Sequence, residues 1–161
     1  MASRSRSTAR QSPTLDPATV AAVQVALAPY ELRLTANRRA VLAALEASDR
    51  PLAVDEVVDA AGVPVSTVYR ILSELSQVGV VSRVAGAGGG DRHELAESLS
   101  QHHHHHLVCE QCGIVQDFQP SRQFEQRIER EVAALLASSG FEVTQHVFDV
   151  RGRCRSCVSA G

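Results

Sequence analysis

The 161-residue chain contains no Lys and no Trp, a single Met, and only 4% aromatic residues. No apolar run reaches the ~18 residues that a membrane-spanning helix requires. The opening segment, Met1 to Pro13, lacks the apolar stretch of a secretory signal. These absences argue against a membrane partner and point to a cytoplasmic location. All sixteen basic residues are Arg, which reads as genome composition rather than mechanism. Excess charge is also missing, since 16 Arg against 18 Asp and Glu leave a net charge of −2. With 44% apolar residues, the chain is not a highly charged disordered one and can bury a modest aliphatic core. What it does have is clustered. Five of its seven His are consecutive, His102 to His106, and its four Cys form two CxxC pairs. In a reducing compartment such cysteines are metal ligands more often than disulfides.

Residues 1–14 are rich in Ser, Arg and Thr without periodicity, and are expected to be a disordered tail. Both a plain terminus and an arm that touches DNA fit that composition. A winged-helix unit is then expected over residues 15–97. Val20, Val23 and Leu27 recur at helical spacing before Pro29. Thr35 can cap a helix carrying Val41, Leu42 and Leu45. After Arg50-Pro51, a helix carries Val54, Val57, Val58 and Ala61, with Gly62 suited to its C′ position. Ser66 can cap the next, which carries Val68, Ile71, Leu72 and Leu75 and ends at Gly79. Strands at Val80-Val81 and around His93 to Leu95 flank a glycine-rich turn, Gly86 to Gly90.

Helix, turn, helix and a loose-tipped hairpin make a winged helix, a unit that lays its second helix in the DNA major groove. Ser66, Thr67, Tyr69 and Arg70 are the candidate DNA-facing residues. Arg can fork onto guanine or phosphate, and Tyr can touch phosphate or a thymine methyl. The same pattern also serves units that mediate protein contacts. Residues 1–95 hold ten Arg and ten Asp or Glu, so modest affinity per subunit is expected, with dimerisation making up the difference.

Residues 98–161 read as a smaller α/β unit with an antiparallel sheet, which makes the whole chain α+β. Strands are expected at Leu107-Val108 and Ile114 to Phe118, joined by a turn through Glu110–Gly113. A helix follows from Ser121 to Ser139, with Phe124, Ile128, Val132 and Leu135 on one face. A third strand is expected from Phe141 to Val150. About 60 residues are few for an independent core, so a staple or a partner subunit is expected. Cys109, Cys112, Cys154 and Cys157 supply the staple. Four thiolates in two CxxC knuckles suit tetrahedral Zn²⁺ and leave no coordination position open, which makes a structural site. Disulfides and free thiols are the alternatives; a redox role would call for a thioredoxin-like context that is absent.

Alternate residues of a strand face opposite ways. His103 and His105 therefore share one face of the His run, and His104 and His106 the other, so one run can serve two metal sites. The run is internal and leads straight into a CxxC, unlike a terminal purification tag. Glu125 and His146 are the residue types that would complete a site with His103 and His105 for a divalent ion.

Ser66-Thr67-Val68-Tyr69-Arg70, then His102 to Gly113 (HHHHHLVCEQCG), then a distant CxxC, resemble the Fur family of metalloregulators over roughly residues 15–158. The resemblance implies a dimeric transcriptional repressor, with an N-terminal winged helix and a C-terminal dimerisation domain joined by a hinge near residues 96–101. It implies binding to palindromic double-stranded operators when regulatory metal is loaded. It assigns structural zinc to Cys109, Cys112, Cys154 and Cys157, and a dimerisation-domain metal site to His103, His105, Glu125 and His146. It also implies a hinge site of His104 and His106 with Glu94 and His93. The stretch from Ala96 to Gln101 is longer than usual, and a Cys that zinc-type members place shortly before the His run is missing. His rather than an acid at His105 favours zinc over iron as the regulatory ion; iron, then nickel or peroxide sensing, are the alternatives. A zinc hydrolase or deaminase would need motifs not found here, so no enzyme is expected. A zinc-storage protein would leave the winged helix without a role.

Overall fold

A computed structural model describes residues 13–86, 90–99, 105–137, 139–141, 146 and 148–160. Residues 1–12 of the expected tail, the middle of the glycine-rich turn (87–89), the end of the expected hinge (100–101), His102 to His104, and residues 142–145 and 147 lie outside the described residues.

The chain opens with helix α1 (Pro17–Leu27). Asp16 caps it by accepting the N–H of Ala18 at 2.8 Å, and Pro17, which has no N–H to leave unpaired, occupies its first turn. A 3-10 turn (Ala28–Tyr30) leads to α2 (Ala36–Glu46), where Thr35 caps by accepting from Arg38 N at 3.4 Å, as its position suggested. Strand β1 (Leu52–Ala53) leads directly into α3 (Val54–Ala61), and Gly62 closes that helix in the left-handed region at φ 65°. Next comes α4 (Val65–Gln77), whose buried stripe is Val68, Ile71, Leu72 and Leu75. Pro64, not Ser66, stands at its cap: the Pro64 carbonyl accepts from the N–H groups of Thr67 and Val68, which leaves Ser66 exposed in the first turn. The hairpin β2 (Val81–Ala85) and β3 (Asp91–Leu95) follows.

Strands β2 and β1 flank β3 on its two edges, both antiparallel. The helices pack over one another and against this sheet, burying Val23, Leu42, Val57, Leu75 and Val80 in one aliphatic core. The two-residue β1 was not expected, because it is too short to show alternation.

The second half is built on β4 (His105–Cys109), β5 (Val115–Phe118), α5 (Arg122–Ala137), β6 (Asp149–Gly152) and α6 (Arg155–Ser159). Strand β4 is central, with β5 antiparallel on one side and β6 on the other. The antiparallel sheet expected here is the β4–β5 pair; β6 joins it in parallel, after the α5 crossover. Of the strand expected from Phe141 to Val150, the described β6 contains Asp149 and Val150 and runs on to Gly152. The two halves meet where Val84 of β2 is buried with Val108 and Val115.

Candidate metal centres and a DNA-facing helix

The β4–β5 turn is tight. Gly113 adopts φ 71° and its N–H returns to the Cys109 carbonyl at 2.9 Å, which folds Cys109 and Cys112 toward one point. The second knuckle arrives on the far edge of β4. Register pairs Cys109 with Gly152, Cys154 caps α6, and Cys157 sits one turn along that helix. The Cys154 N–H donates to Cys109 Sγ at 3.3 Å.

All four sulfurs lie within 4.8 Å of one another, and none is in a disulfide. Cys112 and Cys154 sulfurs are 3.7 Å apart. A tetrahedron with arms of about 2.3 Å spaces its sulfurs by about 3.8 Å, so the donor set fits zinc. Backbone N–H groups of Cys112 and then Cys154 pull the Cys109 thiol below its ordinary range. The neighbouring Cys154 thiol, with burial, pushes Cys157 up. Four thiols this close cannot all ionise without a cation to share their charge.

A second cluster lies on the α5 side of β4. His105 is fully buried, and its Nε2 is 2.7 Å from Glu125 Oε1 in the first turn of α5. His146 Nε2 lies 3.3 Å from the other Glu125 oxygen. The Phe148 N–H donates to His105 Nδ1 at 3.3 Å, and the Phe118 and Phe148 rings lie against the imidazole. Two imidazoles and a carboxylate converge in a largely apolar setting, a donor set that suits zinc or ferrous iron.

The third cluster lies on the opposite face of β4 and joins the halves. His106, only 3% exposed, places Nε2 3.3 Å from the Glu94 carboxylate of β3. Its Nδ1 is 3.3 Å from Asp149 Oδ1 of β6. Asp117 is its cross-strand partner on β5, and donor atoms of Glu94, His106 and Asp117 come within 4.8 Å of one another. Asp117 and Asp149 were not read from the sequence. The hairpin register that puts Asp117 opposite His106 was the available signal.

His93 is not brought to this cluster. It points to the other face of β3 from Glu94, into the cleft between α4 and the hairpin that Tyr69 and Ser73 also line. There it is buried, its Nδ1 has no hydrogen-bond partner among the described residues, and desolvation holds its pKa below the usual value.

On α4, Tyr69 and Arg70 project outward, and Ser66 is exposed with them while Thr67 is half-buried. The Arg70 guanidinium is tied to Glu74, one turn on, at 3.0 Å. Glu74 is held in turn by Arg38 at 2.8 Å, and this contact first, then Arg70, lowers its pKa. A buried Arg behind the helix thus sets the carboxylate that orients the exposed one.

A model of the ferric uptake regulator family matches residues 30–151. A peroxide-responsive repressor of Staphylococcus aureus is 30% identical over 131 residues, which cover 78% of this chain and 82% of that protein. The ferric uptake regulator of Helicobacter pylori, described as having three functional metal-binding sites, has a similar structure with a TM-score of 0.67 at 22% identity, over 90% of this chain and 96% of that one. That of Vibrio cholerae, described as showing rearrangement of its DNA-binding domains, matches with a TM-score of 0.60 at 30% identity, over 82% of this chain and 99% of that one.

Proposed function

The chain belongs to the ferric uptake regulator family, and from that premise we propose that it is a metal-dependent DNA-binding repressor of metal-homeostasis genes, working as a homodimer. The observation that carries this reading is the approach of Glu94, on the winged-helix sheet, to His106, on the second sheet. We assign residues 15–97 to DNA binding and residues 98–161 to dimerisation, with the hinge near residues 96–101. A repressor works where the DNA is, so the cytoplasm is the proposed location; no described helix is long and apolar enough to cross a membrane.

In this reading Cys109, Cys112, Cys154 and Cys157 hold structural zinc. His105, Glu125 and His146, with His103, hold one regulatory ion, and Glu94, His106 and Asp117, with His104, hold another at the hinge. Glu94 on one half and His106 and Asp117 on the other would hold a divalent ion at the hinge, which would bridge the two halves. Glu94 then fixes β3 against β4, and β3 carries with it the core on which α4 is packed. In a dimer, this orients two copies of α4 for successive major grooves, about 34 Å apart for one-turn spacing. Ser66, Thr67, Tyr69 and Arg70 are the proposed DNA contacts, on a palindromic duplex. Moving such an equilibrium from 1:99 to 99:1 takes about 5.5 kcal/mol of differential binding.

The imidazole of His105, where an acid would favour harder ions, supports zinc as the sensed metal. The hinge cluster supports a second reading, because Glu94, Asp117 and a single described His offer an oxygen-rich set that suits ferrous iron or manganese. The test is selection of duplexes from a random pool by the purified protein, followed by titration of the selected duplex with Zn²⁺, Fe²⁺, Mn²⁺ and Ni²⁺. One ion should raise DNA affinity well above the others. Equal affinity with and without every ion would sink the proposal.

A further inference from the structure

Strands β2 and β3 touch the second half at points that the hinge cluster does not require. Val84, Val108 and Val115 form an apolar cluster separate from the main core, each no more than 5% exposed. Beside it, Arg92 of β3 donates from Nε to the carbonyl of Gly113 at 2.9 Å. Gly113 directly follows Cys112 and makes the tight turn of the cysteine knuckle. The same guanidinium donates from Nη1 to Glu56 Oε2, also at 2.9 Å. That oxygen accepts the N–H of Ala53, at the start of α3, at 2.8 Å. One side chain, 17% exposed, therefore links the N-terminus of α3 to the turn that presents Cys112. The planar fork of Arg reaches two acceptors in fixed directions, which a Lys ammonium does not reproduce. Gly86 of the wing also lies close: a Cβ there would stand 3.9 Å from the Gly113 oxygen.

Arg92 and Glu94 are two apart in β3 and share a face. Glu94 reaches the hinge cluster; Arg92 reaches the knuckle. We propose that Arg92 is a positioning residue that couples the four-cysteine knuckle to the winged helix, so that an intact structural zinc site is a second input to DNA binding beside the regulatory metal. This rests on the metal-gated reading above. Thiolates gathered on one ion fix the Cys109–Gly113 turn, and with it the carbonyl that Arg92 needs. When the turn is released, a largely buried guanidinium loses one of its two acceptors, and among the described residues the joint keeps the valine cluster, the Glu94 contact and the Arg151 bond to the Ala85 carbonyl.

The test is amide hydrogen exchange on the full chain carrying one zinc per subunit, with wild type, Arg92→Ala and Glu56→Gln compared. Arg92→Ala should raise exchange about tenfold, the worth of one charge-assisted hydrogen bond, in both the β2–β3 hairpin and the Cys109–Val115 turn, with zinc content unchanged. Glu56→Gln should raise it in α3 and leave the turn protected. Stripping zinc from wild type with a chelator should loosen the hairpin as Arg92→Ala does, and this arm needs no variant to fold. Unchanged protection of the hairpin in Arg92→Ala or after stripping would overturn the coupling, as would loosening confined to α3. On a duplex selected by the metal-loaded wild type, Arg92→Ala should bind about tenfold more weakly. If the wild type selects no duplex, the repressor reading fails while the exchange arms still decide the coupling.

Discussion

His105 and His106 are adjacent in the chain and serve different clusters, because a strand turns successive side chains to opposite faces. That much of the candidate site was legible in the His run itself. Asp117 was not, because its place opposite His106 depends on where the β4–β5 hairpin folds. The same alternation carries His93 away from the hinge cluster, since it turns to the other face of β3 from Glu94. His105→Ala should remove the regulatory ion from the α5 cluster and leave the knuckle zinc, as metal content per subunit will show; loss of both ions would contradict the separation of the sites. Glu56 offers a pH test. The Arg50 contact first, and the Ala53 N–H with it, lower its pKa from 4.5 to about 2 despite burial. A carboxylate depressed in the folded state contributes its stability above the unfolded pKa and loses it as pH falls through the folded one. Glu56→Gln should therefore cost about 1 kcal/mol at pH 7, a figure kept small because the side chain is a third exposed. That cost should shrink as pH falls from about 4.5 toward about 2. Urea unfolding of both proteins at pH 7 and pH 3 checks this, and a difference that stays constant would contradict it.

The helices were the most legible elements, since the stripes on α3 and α4 carry the helical period and Thr35 and Gly62 mark ends. The cap of α4 was not: Ser66 has the right chemistry, but Pro64 already stands where the chain turns in. Leu72 is 2% exposed at the centre of the α4 stripe, and Leu72→Ala should cost about 2–5 kcal/mol in denaturant unfolding. A cost below 1 kcal/mol would mean that α4 is not seated as described. Arg70 is 63% exposed and tied to Glu74, so Arg70→Ala should leave stability within about 0.5 kcal/mol and weaken binding to the selected duplex. Unaltered DNA affinity would remove Arg70 from the proposed contact set.

At the scale of the whole molecule, the described residues form two apolar cores of unequal size, joined through the wing. The larger lies under α1–α4, and the smaller is the valine cluster at the junction. The second half leaves apolar side chains at its surface. Leu107 and Val150 are register partners on β4 and β6, 41% and 51% exposed, and Phe124 is 51% exposed on α5. A partner subunit would cover such a face, and Leu107→Glu should shift the protein toward monomer in sedimentation velocity. An unchanged dimer would place the interface elsewhere. The two-part plan could be read from the cysteine spacing, the His run and the winged-helix pattern. The joint could not, because Arg92, Val84 and Gly113 carry no periodic signal and meet only once both sheets are built.

The central claim is that metal closes the Glu94–His106 joint and so controls DNA binding. It is tested most directly by the affinity of zinc-knuckle-loaded protein for its selected duplex, titrated with the regulatory ion at pH 7.5. The account predicts a gain of about a hundredfold on metal addition and loss of most of that gain in Asp117→Ala. DNA affinity that ignores the metal, or a full response without Asp117, would contradict it.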